Sequence, residues 1–213
     1  MLSYNVYGQE VSVDSLISIN DPEKFEETLS LFDKSHQDSI RIAWHIQKAY
    51  QAQHNADKAL QEDHLNIALS LSRKHNLTRQ EISTLMIIAD RLRVAQNADS
   101  SRQLLDKALA MSLKINDVSY EGLVNYNIAS LIEHTEQDPV KAIRYLHTAL
   151  EIFESIGDEA QITKCHLLMG ILHSNDQNPQ EAKKYYKLAN DYYIKTGNKD
   201  YQVRMAINLG MLY

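Results

Sequence analysis

Three side chains in this sequence carry the donor chemistry of a metal site. Cys165, His166 and His173 supply a thiol and two imidazoles, and the histidines stand seven apart, on one face of any helix that holds them. Such donors hold a cation when three or four of them converge. The residues between them are led by Leu167, Leu168 and Met169, so half-buried packing is the simpler expectation, with no metal and no cofactor. Four tyrosines follow, Tyr185, Tyr186, Tyr192 and Tyr193. Tyr186 and Tyr193 are again seven apart and read as core, their hydroxyls reaching water. The sequence holds no Gly-rich phosphate loop, no paired CxxC, no HExxH and no recognisable setting for a nucleophilic Ser or Cys. It gives no reason to expect catalysis.

The elements that hold these residues are helices on composition alone. With 44% hydrophobic and 23% charged residues in 213, the chain can bury a core, and only 6 Gly and 3 Pro interrupt it. A net charge of -6 argues against general affinity for nucleic acid, which rests on clustered Lys and Arg. The single cysteine forms no intramolecular disulfide, and no stretch approaches the roughly 20 apolar residues that cross a bilayer. At the N-terminus, Val6-Tyr7-Gly8 fits the small-x-small pattern that precedes signal peptidase cleavage, with a polar helix-like segment from Gln9 onward. Residues 1–9 therefore read either as a signal-peptide stub, which would place the protein outside the cytoplasm, or as an ordinary disordered tail in a cytoplasmic one.

Self-similarity supplies the architecture. Offset by 40 or 41 residues, small residues fall into register at Ala49, Ala89, Ala129, Gly170 and Gly210, and again at Ala68, Ala108, Ala149 and Ala189. A third column, Asn76, Asn116, Gly157 and Gly197, supplies residues that accept left-handed backbone after a helix. A period of this length marks stacked supersecondary units, none of which covers its own apolar face alone. Within a unit, the stretch from Val118 to His134 carries Leu123, Ile128, Ala129, Leu131 and Ile132 as an apolar stripe. Gln137-Asp138-Pro139 and Gln177-Asn178-Pro179 then break the pattern and start a second helix with a capping side chain and a proline in the first turn. Asn97-Ala98-Asp99 and Asn55-Ala56-Asp57 make the same turn earlier. Leu65, Leu105, Leu146 and Tyr186 stand three before the second small column, so bulk alternates with alanine as close helix packing requires.

On these residues the chain resembles tetratricopeptide repeats from 37 to 213. Gly170, Ala182, Tyr186 and Ala189 match the small, small, aromatic and alanine positions of that family most fully. Ala129, Ala142, Leu146 and Ala149 match next, then Ala89, Ser101, Leu105 and Ala108. The first repeat departs, with Gln61 where a small residue opens the second helix and Lys48 where the family prefers Leu. The resemblance implies an all-α fold, a right-handed α-α superhelix of stacked antiparallel helix pairs, with elongated repeats at 37–76, 77–116, 117–157 and 158–197. Residues 10–36, with Phe25, Leu29 and Phe32 on one face, read as a degenerate leading unit. Residues 198–213 read as the first helix of an incomplete repeat, so Tyr213 reads as a boundary within a longer protein.

Carried over residue by residue, the family's groove-facing positions select Tyr50, His54, Asp90, Arg93, Tyr126, Asn127, Ser130, Glu133, His134 and Lys164. Asn127 and Asn208 match a place where relatives grip a ligand backbone with asparagine. Taken singly, each is also what a solvated helix face carries. Both charges, aromatics and amides together suit a peptide or protein segment better than an apolar small molecule. The family's basic carboxylate clamp is not reproduced as a set. The resemblance thus implies a non-catalytic peptide- or protein-binding domain, such as the sensing or interaction region of a bacterial signal-transduction protein. A cytoplasmic adaptor or peptide-sensing regulator is the alternative, and a helical enzyme a distant third. Exposed end helices leave room for weak self-association.

Overall fold

The computed structural model describes residues 3–6, 9–136 and 138–211, with side chains described from residue 12 onward apart from Ser35. The chain forms two compact units, Met1–Ile88 and Ala89–Tyr213.

The first unit opens with an antiparallel strand pair, β1 (Ser3–Val6) and β2 (Gln9–Ser12), in the register Ser3↔Ser12 and Val6↔Gln9. This corrects the helical reading from Gln9 onward. Tyr4, Val6 and Val11 favour extended backbone, and the pairing satisfies the backbone groups that the two segments turn towards each other. Tyr7 and Gly8, on which the cleavage pattern turns, lie outside the described residues. Helix begins at α1 (Val13–Ile17), capped by the Ser12 hydroxyl, and continues in α2 (Pro22–Leu29), α3 (Lys34–His54), α4 (Lys58–Lys74) and the first part of α5 (Thr78–Val94). Leu16, Phe25, Leu29, Phe32, Ile40 and Trp44 form its core, with Val13, Ile17 and Ile19 packed around them. The Phe25 and Trp44 rings stack at 4.6 Å, and the Trp44 indole donates to the Ile19 carbonyl at 2.8 Å. Arg41 on α3 grips both carboxylate oxygens of Glu26 on α2, each at 2.8 Å.

The second unit takes the end of α5 and continues through α6 (Ala98–Lys114), α7 (Val118–Thr135), α8 (Pro139–Ile156), α9 (Glu159–Asn175), α10 (Pro179–Lys195) and α11 (Lys199–Gly210). Consecutive helices pack against each other from α6 to α11. The cap residues at the second helices stand where the turn chemistry puts them. The side chains of Asp57, Asn97, Asp138 and Asn178 each accept from the backbone N–H three residues on, at 3.0 to 3.4 Å.

All the predicted small residues from Ala49 to Gly170, and the whole second column through Ala189, are buried, as are Leu65, Leu105, Leu146 and Tyr186. Gly210 is the exception. It is exposed, and a Cβ there would meet no atom within 4 Å. A small residue marks a crossing only when a second helix lies over it, and no helix follows α11 among the described residues. The backbone column holds throughout, with φ of 53° at Asn76, 51° at Asn116, 70° at Gly157 and 69° at Gly197. A second left-handed column escaped the sequence reading, because ordinary residues fill it. Ala56, Gln96 and Gln177 adopt φ of 58°, 60° and 54° between the helices of their pairs.

Gly170 shows how tight the crossings are. A Cβ on it would sit 2.5 Å from two ring carbons of Tyr186, whose hydroxyl is hydrogen-bonded to Ser174. Gly170→Ala is therefore expected to lower stability, overpacking of about 1–3 kcal/mol outweighing the roughly 1 kcal/mol that alanine adds to a helix. On a Tyr186→Leu background, which recreates the Ala and Leu of the other repeats, the same change is expected to be neutral or stabilising. Chemical denaturation of the four proteins in a double-mutant cycle tests this, and additivity would contradict it. At the left-handed turns, Gln96→Gly is expected to raise unfolding free energy by about 0.5–1 kcal/mol, because only glycine adopts that φ without a Cβ penalty. A lowered denaturation midpoint would count against the assigned backbone.

Candidate partner-binding surface

In the second unit, the C-terminal ends of α7 and α9 and the start of α8 frame a cleft of about 600 Å³. Glu133 and His134 come from α7, Asp138 and Pro139 from the start of α8, and Leu172 and Asn175 from α9, with Asp176 just beyond it. Asn175 donates to the Glu133 carboxylate at 3.2 Å, tying the two helix ends together. Helix C-termini concentrate carbonyl oxygens and the negative end of the macrodipole, so this rim is rich in acceptors.

Of the residues selected from sequence, Glu133 and His134 line this cleft and Asp90, Arg93, Tyr126, Asn127, Ser130 and Lys164 do not. Arg93 is paired to Asp90 on its own helix at 2.7 Å, an exposed pair of the kind worth little to stability. Tyr126 is half-buried, and burial, with the Cys165 thiol nearby, pushes its hydroxyl up to about 12. The Asn127 amide donates to the Leu123 carbonyl at 2.8 Å, one turn back in α7. Ser130 is half-buried and Lys164 exposed.

In the first unit, Tyr50 and His54 line a cleft of about 390 Å³ with Asn20, Gln47, Gln51 and Asn55. Behind one wall lies Lys48, which is only 8% exposed. Its ammonium donates to Asn20 Oδ1 at 2.6 Å and Gln51 Oε1 at 3.1 Å and rides 5.3 Å from the Trp44 ring centre. Burial lowers its pKa. Also against Trp44, His45 and His64 join through their Nδ1 atoms at 2.9 Å, one ring donating and the other accepting. Both rings meet the Trp44 ring edge-on, at 5.0 and 5.9 Å.

His166 and His173 converge on one ring, that of Tyr185. His173 stacks on Tyr185 at 5.5 Å, and His166 lies 6.0 Å from the same ring. Burial lowers the His166 pKa and pushes the Cys165 thiol up to about 12, keeping it neutral. Among the described residues no three His, Cys, Asp or Glu side chains are placed to hold a metal.

Sequence reasoning missed Asn175, Asp176 and the whole Asn20 wall. Asn175 was recoverable, since it stands 41 residues after His134 and occupies the same place in its repeat. Asn20 was not, because it lies outside the repeats and reaches the cleft only through the packing of α1 and α2 on α3. In the sequence Lys48 stands out only as a departure from the repeat pattern.

Helix hairpins recurring every 40 to 41 residues, with small side chains at their crossings, define a tetratricopeptide-like helical-repeat protein of the α-α superhelix class. A model of the soluble NSF attachment protein family matches residues 20–208, and the chain belongs to that family. Among solved structures, the apo form of RapI is similar with a TM-score of 0.71 at 20% identity, over 90% of this chain and 68% of that one. That likeness is one of fold. No curated protein matches. Among the described residues no helix is long and apolar enough to cross a membrane.

The histidine pair has a measurable consequence. Burial lowers the His45 pKa to about 4, with the His64 charge adding to the effect, and burial also lowers that of His64. Glu26 opposes the shift at His45 and Asp63 opposes it at His64, while Arg41 and Lys48 reinforce it at the respective rings. The unfolded chain takes up protons below about 6.5 that the folded rings refuse, so stability falls as pH drops from there towards 4. Thermal unfolding followed by circular dichroism is expected to show this loss, reduced in His45→Gln. An equal loss in the variant would assign the dependence elsewhere.

Proposed function

We propose that this chain is a non-catalytic protein-binding domain that takes a peptide or protein segment on the faces and ends of its first helices. The observation that carries this reading is the cleft at the ends of α7 and α9, where acidic, imidazole and amide groups from three helices meet an apolar floor of Leu172 and Pro139. Such a mixture suits a polar chain with occasional apolar side chains. Elsewhere in the second unit, burial keeps the Cys165 thiol neutral and His173 is stacked on Tyr185, so neither is set up as a nucleophile or base.

Two biological settings fit the module. The narrower reading that the sequence favoured is an interaction or sensing region within a bacterial signalling protein, and the likeness to RapI supports the repeat fold that this reading needs. The family description, an attachment protein, supports an adaptor that joins two other proteins. Both readings require a partner-binding surface on the repeats.

Selecting a displayed peptide library on the whole protein tests the shared claim. Binders are expected to weaken about tenfold, or 1.4 kcal/mol, on Glu133→Gln and on Arg93→Ala, with helical circular dichroism unchanged. Failure to select any binder, or binders indifferent to both changes, would refute the assignment of this surface.

A further inference from the structure

The first repeat departs from its pattern at Lys48, and the departure is buried. A cation removed from water normally gains a carboxylate, since the charged form is otherwise heavily disfavoured. Here two neutral amide oxygens hold the ammonium, and no carboxylate pairs with it among the described residues. The hydrogen-bonding capacity is largely met while the charge is not neutralised.

The two amides that grip Lys48 also line the 390 Å³ cleft. With Oδ1 of Asn20 and Oε1 of Gln51 committed to the ammonium, each amide is left with an NH2 group. Neither of those NH2 groups has a hydrogen-bond partner among the described residues. The wall therefore presents N–H donors backed by an uncompensated positive charge, with the His54 imidazole further along. Two N–H donors and a cation behind them are the complement of a carboxylate, which accepts through two oxygens and carries the missing charge. A cationic group would meet repulsion, and an apolar one would leave the donors unmet.

We propose that the Asn20–Gln51 cleft binds a carboxylate of a peptide partner, Lys48 supplying the counter-charge and the two amides the hydrogen bonds. The proposal rests on the peptide-binding reading above and assigns it a second, separate site. The carboxylate is either an acidic side chain or a C-terminus, and the test distinguishes them.

Trp44 is the only tryptophan and its indole N–H bonds to Ile19, next to Asn20, so its single indole NMR cross-peak reports on the cleft. Three glycine-based pentapeptides serve as probes, one with a central Glu and both ends capped, one capped only at its N-terminus, and one capped at both ends with Gln in the centre. A saturable shift is expected with one or both of the first two, naming the source, and none with the third. Lys48→Met is expected to weaken binding at least about tenfold, and Lys48→Arg to retain it. Asn20→Asp supplies an internal carboxylate, so it is expected to abolish the response without lowering the melting temperature, which separates lost binding from lost fold. No response to either carboxylate probe, an equal response to the Gln peptide, or full binding by Lys48→Met would overturn the proposal. Equal response to the Gln peptide would leave the peptide-binding reading standing, whereas loss of the library binders at Glu133 and Arg93 is read independently.

Discussion

The architecture depends on how closely two helix backbones approach, and that distance is set by paired side-chain volumes. Where the second helix carries Tyr186, the first helix has given up even a methyl group at Gly170. In the other repeats the same register pairs leucine with alanine, at Leu146 with Ala129, Leu105 with Ala89 and Leu65 with Ala49. The sum of the two volumes stays nearly constant while its partition shifts. A second layer obeys the same rule, because Gly122 meets the Phe153 ring and a Cβ there would stand 2.9 Å from it. Close packing at interior density leaves no slack for either partner to change alone. Matched volumes suit a similar separation of the two helices within each pair.

Regular separation needs regular turns, and here the backbone contributes as much as the side chains. Among the described residues, left-handed backbone follows the repeat helices at Ala56, Asn76, Gln96, Asn116, Gly157, Gln177 and Gly197, so Asn, Gly, Ala and Gln all fill this place. Asparagine and glycine adopt this conformation readily. The Ala56, Gln96 and Gln177 turns hold it against the Cβ penalty, stabilised by caps such as Asp57, Asn97 and Asn178 in the next positions. Because the turns are short and uniform, side chains at helix ends are presented in fixed relation to the core. Glu133 and Asn175 meet for this reason.

The solenoid was legible because its signal is one of volume and period. Ala68, Ala108, Ala149 and Ala189 announce burial by type and spacing without any tertiary knowledge, and Asn76 and Gly157 announce their backbone conformation. The left-handed Gln96 and Gln177 gave no such sign, since their residue type argues for helix. Gly210 carried the sign but not the environment, because a packing residue needs the helix that packs on it. The strand pair was misread because four-residue segments carry too few positions to establish a period. Of the residues taken from the resemblance, Glu133 and His134 line the cleft at the ends of α7 and α9, whereas Asp90, Arg93 and Lys164 do not. A helix face is set by sequence, but a cleft is set by which neighbouring ends happen to converge.

The departures from pattern are therefore the most informative residues in the chain. A repeat whose core is defined by interchangeable alanines and leucines has no packing need for Lys48, which places a charge 5.3 Å from the Trp44 ring centre. The histidines edge-on to Trp44 add two more groups that an apolar core does not require. Local violations of packing rules persist where something other than stability is gained. In this chain they gather in the first unit, where a non-repeat segment ending at Asn20 meets the first repeat helix, and the donors of that junction come from both sides. A junction between unlike elements is the one place in a repetitive fold where neighbouring residues are free to differ from every other crossing.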